Sequence, residues 1–320
     1  MANKKKIFLR SDANNKIGFG HLIRCLALAD ILRDDFECIF VTRFVNEYIT
    51  KEIKKSCSSY VLLNDNHFED FLKLLGNEDI VLLDNYFFNT EYQKKIKSIV
   101  SKLICIDDTH DKHYVSDVVI NHIYGLKEDQ FSVESNTKLC LGFDYAMLRK
   151  PFFDVIPRIR TEQKRCLICI GGADRFNITT KIIKLLKNNR NIEVINVVIG
   201  TSFLFKAELK RVIHKIEKKI NIYSGLSSND MSNLMQSSDF GIFPASTVSI
   251  EAIAVGLPLL CGFYVDNQKE YYYNLIKDFP QIGLGDLTKI SHININNSMQ
   301  LNKKSFNADT IRDVFRRNLR

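Results

Sequence analysis

With 320 residues, 45% of them apolar, the chain is long enough for one large domain or two of ordinary size with full cores. Its 45 Lys and Arg against 37 Asp and Glu leave a net charge of +8, spread along the chain without a dense basic stripe or an aromatic-interleaved patch. This argues against a nucleic-acid partner and fits an anionic small molecule.

The basic start is followed by only Ile7-Phe8-Leu9 before Arg10, too short for a signal peptide. The apolar stretch 240–265 contains Pro244, Glu251 and Pro258, so it reads as strand, loop, buried helix and strand rather than a lipid-crossing helix. The expectation is a soluble, cytoplasmic monomer with no membrane partner. Eight cysteines lack framework spacing; Cys166 and Cys169 lie on one predicted strand, where positions i and i+3 face opposite sides, so they are expected to be core residues.

In chain order, strand-like runs at 6–10, 37–42, 59–63, 79–84, 103–107 and 117–121 alternate with helical runs such as 23–32, 68–75 and 91–101. This predicts a doubly wound parallel sheet. A break at 149–163, with Pro151, Pro157 and four basic residues, precedes a restart. Strands at 165–170, 192–199, 220–224 and 239–243 follow, with a helix at 179–186 and others between. The predicted fold is therefore α/β, two Rossmann-like domains (1–155 and 156–320) facing each other across a cleft, with ligands at the carboxyl ends of the strands. The tail from Ala308 reads as a basic amphipathic helix packed on the surface.

Five places carry candidate chemistry. In the first crossover, Ile17-Gly18-Phe19-Gly20-His21 leads into an apolar helix. Gly18 and Gly20 let a backbone approach a ligand, and His21 falls in the first helical turn, beside free N–H groups, as a candidate acid or base. Asp12, just past the strand, is positioned to orient that imidazole or bind a sugar hydroxyl, or simply to form a turn. The second place is Asp84-Asn85-Tyr86, where a buried strand delivers polar groups to its end. The third, Asp107-Asp108 with His110 and His113, has metal-ligand residue types, although Asp and His also serve as turn formers there. The fourth is Gly171-Gly172-Ala173-Asp174, a strand-end turn able to cradle a diphosphate. In the fifth, Ser246 and Thr247 precede a helix carrying Glu251; they read either as helix caps or as phosphate and ribose contacts.

These pieces in this order resemble the UDP-sugar hydrolases of pseudaminic acid biosynthesis and their spore-coat polysaccharide relatives. The marks are R-x-D-A with I-G-x-G-H-x-x-R-C-L-x-L-A (Arg10 to Ala29), D-x-Y (Asp84 to Tyr86), I-D-D (Ile106 to Asp108), L-G with Y-x-x-L-R (Leu141 to Arg149), G-G-x-D (Gly171 to Asp174) and Asn267-Gln268. The resemblance covers residues 6 to 270. It implies a GT-B-like fold, with the sugar held mainly by the N-terminal half and uridine diphosphate by the C-terminal half.

It further implies His21 as the catalytic residue, activating water to attack the anomeric carbon with inversion and release of UDP. Arg10, Asp12, Gly18, Gly20, Tyr86 and Arg149 are the implied substrate-binding residues. Gly171, Gly172, Asp174, Ser246, Thr247, Glu251, Asn267 and Gln268 are the implied nucleotide-binding residues. No cofactor and no metal enter the implied scheme. Pro244-Ala245 departs from the glycine pair that relatives carry before the Ser/Thr turn, and the spacing from Thr247 to Glu251 is one residue longer. Two other readings stand beside the hydrolase. One is a GT-B glycosyltransferase, in which a sugar hydroxyl replaces water; the other is a non-catalytic nucleotide-sugar binding protein.

Overall fold

The computed structural model describes residues 4–13, 19–153, 155, 164–200, 202–301 and 306–318, and the loop glycine Gly18 with Ile17, like most of the break at 154–163, lies outside them. The chain divides into two compact units, Met1–Lys150 with Phe306–Arg320, and Pro151–Ser305.

The first unit alternates strand and helix as β1 (Lys6–Arg10), α1 (Gly20–Leu32), β2 (Glu37–Thr42), α2 (Glu47–Ser56), β3 (Ser59–Leu62), α3 (His67–Leu72), β4 (Ile80–Leu83), α4 (Thr90–Lys97) and β5 (Lys102–Ile106). A more irregular stretch supplies β6 (His113–Tyr114), β7 (Val118–Asn121), β8 (Ser132–Val133) and β9 (Lys138–Leu141). Seven strands pair in parallel in the order β3-β2-β1-β4-β5-β7-β9, and β6 with β8 forms a separate pair. A parallel sheet must be covered on both faces, which is why β4, Ile-Val-Leu-Leu, is apolar at every position and wholly buried. On one face Phe8, Val41, Val81, Leu83, Leu103 and Val119 pack against Phe71, Phe88, Tyr92 and Ile96. Each such side chain contributes roughly 1.5–3 kcal/mol by leaving water.

The second unit runs β10 (Arg165–Cys169), α5 (Ile178–Leu186), β11 (Val194–Ile199), α6 (Lys206–Ile213), β12 (Lys219–Ser224), α7 (Ser228–Ser237) and β13 (Phe240–Pro244). It continues through α8 (Thr247–Ala254), β14 (Leu259–Phe263), α9 (Lys269–Asp278) and β15 (Gly283–Asp286). Its parallel sheet has the order β12-β11-β10-β13-β14-β15. Both units thus wind outward in both directions from their first strand, and the reversal point lies between β1 and β4 in one and between β10 and β13 in the other. Ligands of doubly wound sheets bind outside the carboxyl ends at that point. The apolar run at 240–265 is β13, α8 and β14, and no helix among the described residues is long and apolar enough to cross a membrane. All eight cysteines are buried, and none forms a disulfide.

The last helix, α10 (Ala308–Asn318), corrects the expected boundary, because it belongs to the first unit rather than to a second domain running to 320. Phe315 is fully buried with its ring 6.4 Å from Phe36. The Arg312 Nε donates to the Ile31 carbonyl at 3.1 Å and Arg316 Nε to Asp35 at 3.0 Å. The amphipathic pattern identifies a packed helix but not which sheet it packs on.

Candidate active site

At the reversal point of the first sheet, β1 ends at Arg10 and β4 at Leu83, so Asp12 and Asp84 emerge side by side from neighbouring strands. Helix α1 begins at Gly20, and no side chain among the described residues caps its first amides. His21 and Arg24, three residues apart, share a face of α1 and are both buried.

That face meets Asp84. The His21 Nδ1 lies 2.8 Å from Asp84 Oδ1, and Arg24 Nε donates to Asp84 Oδ2 at 2.7 Å. The same guanidinium also donates to Asp84 Oδ1 and to Asp108. Cys25 Sγ adds a weak contact to Asp84 Oδ2 at 3.3 Å, which completes the carboxylate's set of donors. Arg24 Nη2 also lies 2.9 Å from His21 Nδ1, but its hydrogens have Asp84 to donate to, whereas the acceptor beside Nδ1 is that carboxylate, so the ring hydrogen is placed on Nδ1 and donated to Asp84. This leaves Nε2 as the acceptor atom of the ring. Tyr86 closes the group, its hydroxyl donating to Asp108 Oδ2 at 3.1 Å and its ring standing edge-on to His21 at 4.9 Å. A cavity of about 10 Å³, near the volume one water needs, opens among His21, Arg24, Asp84, Tyr86 and Asp108.

Burial opposes the charge on Asp84, yet Arg24 and His21 outweigh it and hold its carboxyl well below the usual range. Asp108 is likewise held low against burial by Arg24 and His21. Two carboxylates face one guanidinium, so the group carries a spare negative charge opposite the imidazole. A proton arriving at His21 Nε2 is met by that charge, which is the arrangement a general base requires.

The structure reassigns several expected residues. Asp12 does not orient His21. Both its oxygens take Arg10, at 2.6 and 3.1 Å, and Oδ1 also accepts the Arg43 N–H at 2.8 Å. Asp84, 63 residues along the chain from His21, does the orienting instead. Arg10 is fully buried beneath the ring of Phe88 at 5.5 Å, and so supports the site rather than facing solvent. Among the described residues nothing lies within 4 Å of where a Cβ on Gly20 would stand, so none of them demands glycine there. Arg149 is half-buried at the end of the first unit's main segment. Asp107, Asp108, His110 and His113 do not converge. Asp107 accepts the Thr109 and His110 amides, at 3.0 and 2.8 Å, and His113 turns to Ser132 and Glu134. Among the described residues no group of three His, Cys, Asp or Glu is arranged to hold a metal. Arg24 was not singled out from sequence as a site residue, although it stands in the His-x-x-Arg spacing that puts both side chains on one helical face, and Asp108 was read as a metal-ligand or turn residue rather than as a partner of Arg24.

In the second unit the glycine turn is built for close backbone approach. Gly171 has φ +96°, and a Cβ on Gly200 would come within 1.9 Å of the Gly172 carbonyl oxygen. Asp174 caps α5, its two oxygens accepting the Ile178 and Thr179 amides, both at 2.8 Å. Those amides are therefore taken, and the amino end of α8 is the alternative anion-binding terminus at this reversal point. There Ser246 and Thr247 are half-buried, and the Ser249 hydroxyl donates to the Ser246 carbonyl at 2.7 Å. Glu251 is buried one turn further on. Gln268 is buried and accepts the Tyr264 N–H at 3.0 Å, fixing the turn after β14, while Asn267 beside it is exposed.

No family model matches the chain. An uncharacterized protein of Methanocaldococcus jannaschii is 30% identical over 88% of the chain, which spans 60% of that relative's length. The spore coat polysaccharide biosynthesis protein SpsG of Bacillus subtilis is 27% identical over 87% of the chain and 83% of its own length. The UDP-2,4-diacetamido-2,4,6-trideoxy-beta-L-altropyranose hydrolase of Campylobacter jejuni is 26% identical over 82% of the chain and 93% of its own length. The chain is a homologue of a UDP-sugar hydrolase. Among solved structures, MurG of Acinetobacter baumannii superposes with a TM-score of 0.56 at 13% identity, covering 98% of this chain and 91% of that one. TcCGT1 in complex with UDP superposes at 0.59 and 10% identity, covering 98% and 90%. At such identities they establish the fold, that of GT-B glycosyltransferases, and nothing about the reaction.

Proposed function

We propose that this homologue of UDP-sugar hydrolases is itself a hydrolase of a UDP-2,4-diacetamido-2,4,6-trideoxyhexose, supplying the free sugar for pseudaminic acid biosynthesis. The observation that carries the mechanism is the Asp84–His21 pair at 2.8 Å, which leaves Nε2 as a base. In the proposed step Nε2 takes a proton from water and the oxygen attacks the anomeric carbon from the face opposite UDP. The C–O bond breaks with inversion, and its electron pair leaves on the UDP oxygen. UDP is a good leaving group once backbone amides and a helix dipole share its charge, so a strong general acid is dispensable.

The sugar is assigned to the reversal point of the first unit, with Tyr86 and Gly20 beside it. The nucleotide is assigned to that of the second unit, at the Gly171–Gly172 turn and the Ser246–Thr247 end of α8, with Glu251 assigned to the ribose hydroxyls. Asp174 enters this scheme as the residue that shapes the turn. Purified protein mixed with the diacetamido UDP-sugar is expected to release UDP with no acceptor present, and EDTA is expected not to stop it. Release only when a second sugar is supplied would support the glycosyltransferase reading instead, and binding without turnover would support a non-catalytic one.

A further inference from the structure

The loop between β5 and β6 carries Asp107, Asp108 and His110, which among the described residues do not converge on a metal site, and the His21 chemistry draws only on Asp108. The loop is nonetheless firmly fastened. Asp107 accepts the Thr109 and His110 amides at 3.0 and 2.8 Å, together with the Tyr114 hydroxyl and the Asn121 side-chain amide. His110 sits at φ +36°, a left-handed turn conformation that the bonds to Asp107 support.

This loop is also stitched to the one that follows β4. The Thr90 hydroxyl donates to the His113 carbonyl at 2.7 Å. Gln93, fully buried on α4, accepts the Val115 N–H at 3.3 Å and donates to the Phe88 carbonyl at 3.4 Å. Tyr86 is held at both ends. Its hydroxyl donates to Asp108 at 3.1 Å, and its carbonyl accepts from Lys112 Nζ at 3.2 Å. The Lys112 side chain is only 15% exposed, lies 3.3 Å from Asp111 and lines the cavity beside His21, so it is not a loose surface lysine. Two residues four positions apart on one loop therefore grip a single tyrosine, by its hydroxyl and by its main chain. The gripped ring is the one that stands 4.9 Å from His21, nearly perpendicular to it.

We propose that Lys112 is a positioning residue for the base: acting through Tyr86, it fixes the tilt of the His21 ring and so the direction of Nε2. The Asp84 bond fixes Nδ1 but leaves the imidazole free to tilt about that contact. The Tyr86 ring takes up that freedom. Tyr86 is itself 44% exposed, so packing alone does not hold it, and the bonds to Asp108 and Lys112 do. Without Lys112 the ring pivots on its hydroxyl bond alone. A misplacement of about 1 Å at a reacting group can cost about 100-fold in rate, so a partial loosening has a measurable effect. Asp84 sets which nitrogen carries the hydrogen, and Lys112 sets where the ring points.

The kinetic consequence rests on the hydrolase reading, and a second readout is independent of it. Lys112→Met and Lys112→Arg are compared with wild type by steady-state release of UDP from the diacetamido UDP-sugar. Lys112→Met is expected to lower kcat by about 10-fold with a smaller change in KM. Lys112→Arg, which keeps a donor for the Tyr86 carbonyl, is expected to restore most of that loss. In a Tyr86→Ala background Lys112→Met is expected to cost nothing further, because the ring through which it acts is gone. An equal loss in both backgrounds, or no loss in the wild-type background, would overturn the role. If wild type releases no UDP, the hydrolase reading falls, and the role of Lys112 is judged by NMR of the His21 ring protons, assigned by their disappearance in His21→Gln. Lys112→Met is expected to move those resonances in the direction that Tyr86→Ala moves them; resonances that Lys112→Met leaves in place overturn it.

Discussion

The two reversal points share one strand order and carry opposite kinds of polar group. In the first unit the strand ends present charged and acid–base side chains, most of them buried: Asp84, Asp108, Arg24 and His21 on one side and Arg10, Asp12 and Arg43 on the other. In the second unit they present backbone: a positive-φ glycine, a turn held against Gly200, a helix capped by Asp174, and the hydroxyl-bearing start of α8. Buried ion pairs are costly to assemble and weak evidence for stability, so a site that concentrates them is better read as shaped for proton transfer. Amide and hydroxyl groups hold an anion without titrating. The fold is duplicated in architecture, and the chemistry is divided between its copies.

Substitutions at the two points are therefore expected to separate turnover from nucleotide affinity. His21→Ala should lower kcat by about 10³- to 10⁴-fold while the affinity for UDP, measured calorimetrically, stays near wild type. A His21→Ala enzyme with near-normal turnover would remove the base from the scheme. Asp84→Asn should cost about 10²- to 10³-fold in kcat, because an amide accepts from Arg24 but no longer fixes the ring hydrogen on Nδ1 or faces the imidazolium with a charge. Retention of full activity there would show that Arg24 alone positions the ring. Thr247→Val, in the second unit, should weaken UDP binding by about 5- to 10-fold with kcat little changed. A kcat effect larger than its binding effect would break the proposed division.

A smaller effect reaches stability. His122, at the end of β7, is buried with its Nδ1 unbonded among the described residues, and burial with Arg24 nearby pushes its pKa from 6.5 down to about 4. A histidine protonated more readily when unfolded costs nothing above about pH 6.5 and destabilises the fold progressively as the pH drops toward 4. The full effect is about 3 kcal/mol. Denaturant titrations of His122→Gln should show a flatter fall in stability across that window than wild type. His67, whose pKa burial, Arg10 and Arg43 push down, acts in the same direction, so some slope should survive; identical slopes would mean that His122 does not titrate on unfolding.

Local patterning made the sheets legible. The expected bounds of β1 and β2 coincide with the observed ones, because short apolar runs between polar turns have few other outcomes in a parallel sheet. The two-residue strands β6 and β8 and the half-buried β9 were missed, since they carry no period of their own. The unit to which α10 belongs was also hidden, because Phe36 and Phe315 meet across 279 residues of chain, a contact no local pattern encodes. In the site, the Gly-x-Gly-His turn points to His21 because glycine and histidine at a strand-to-helix crossover are informative by themselves. Its partner was sought nearby at Asp12, whereas folding delivers Asp84 from the neighbouring strand. Sequence distance is a poor guide to which carboxylate orients a base.

The central claim is that water, activated by His21, attacks the anomeric carbon. Mass spectrometry of the products formed by the purified protein in ¹⁸O-labelled water tests it most directly. The account predicts one ¹⁸O atom in the released sugar and none in UDP; label in UDP would place the cleavage at phosphorus and contradict it.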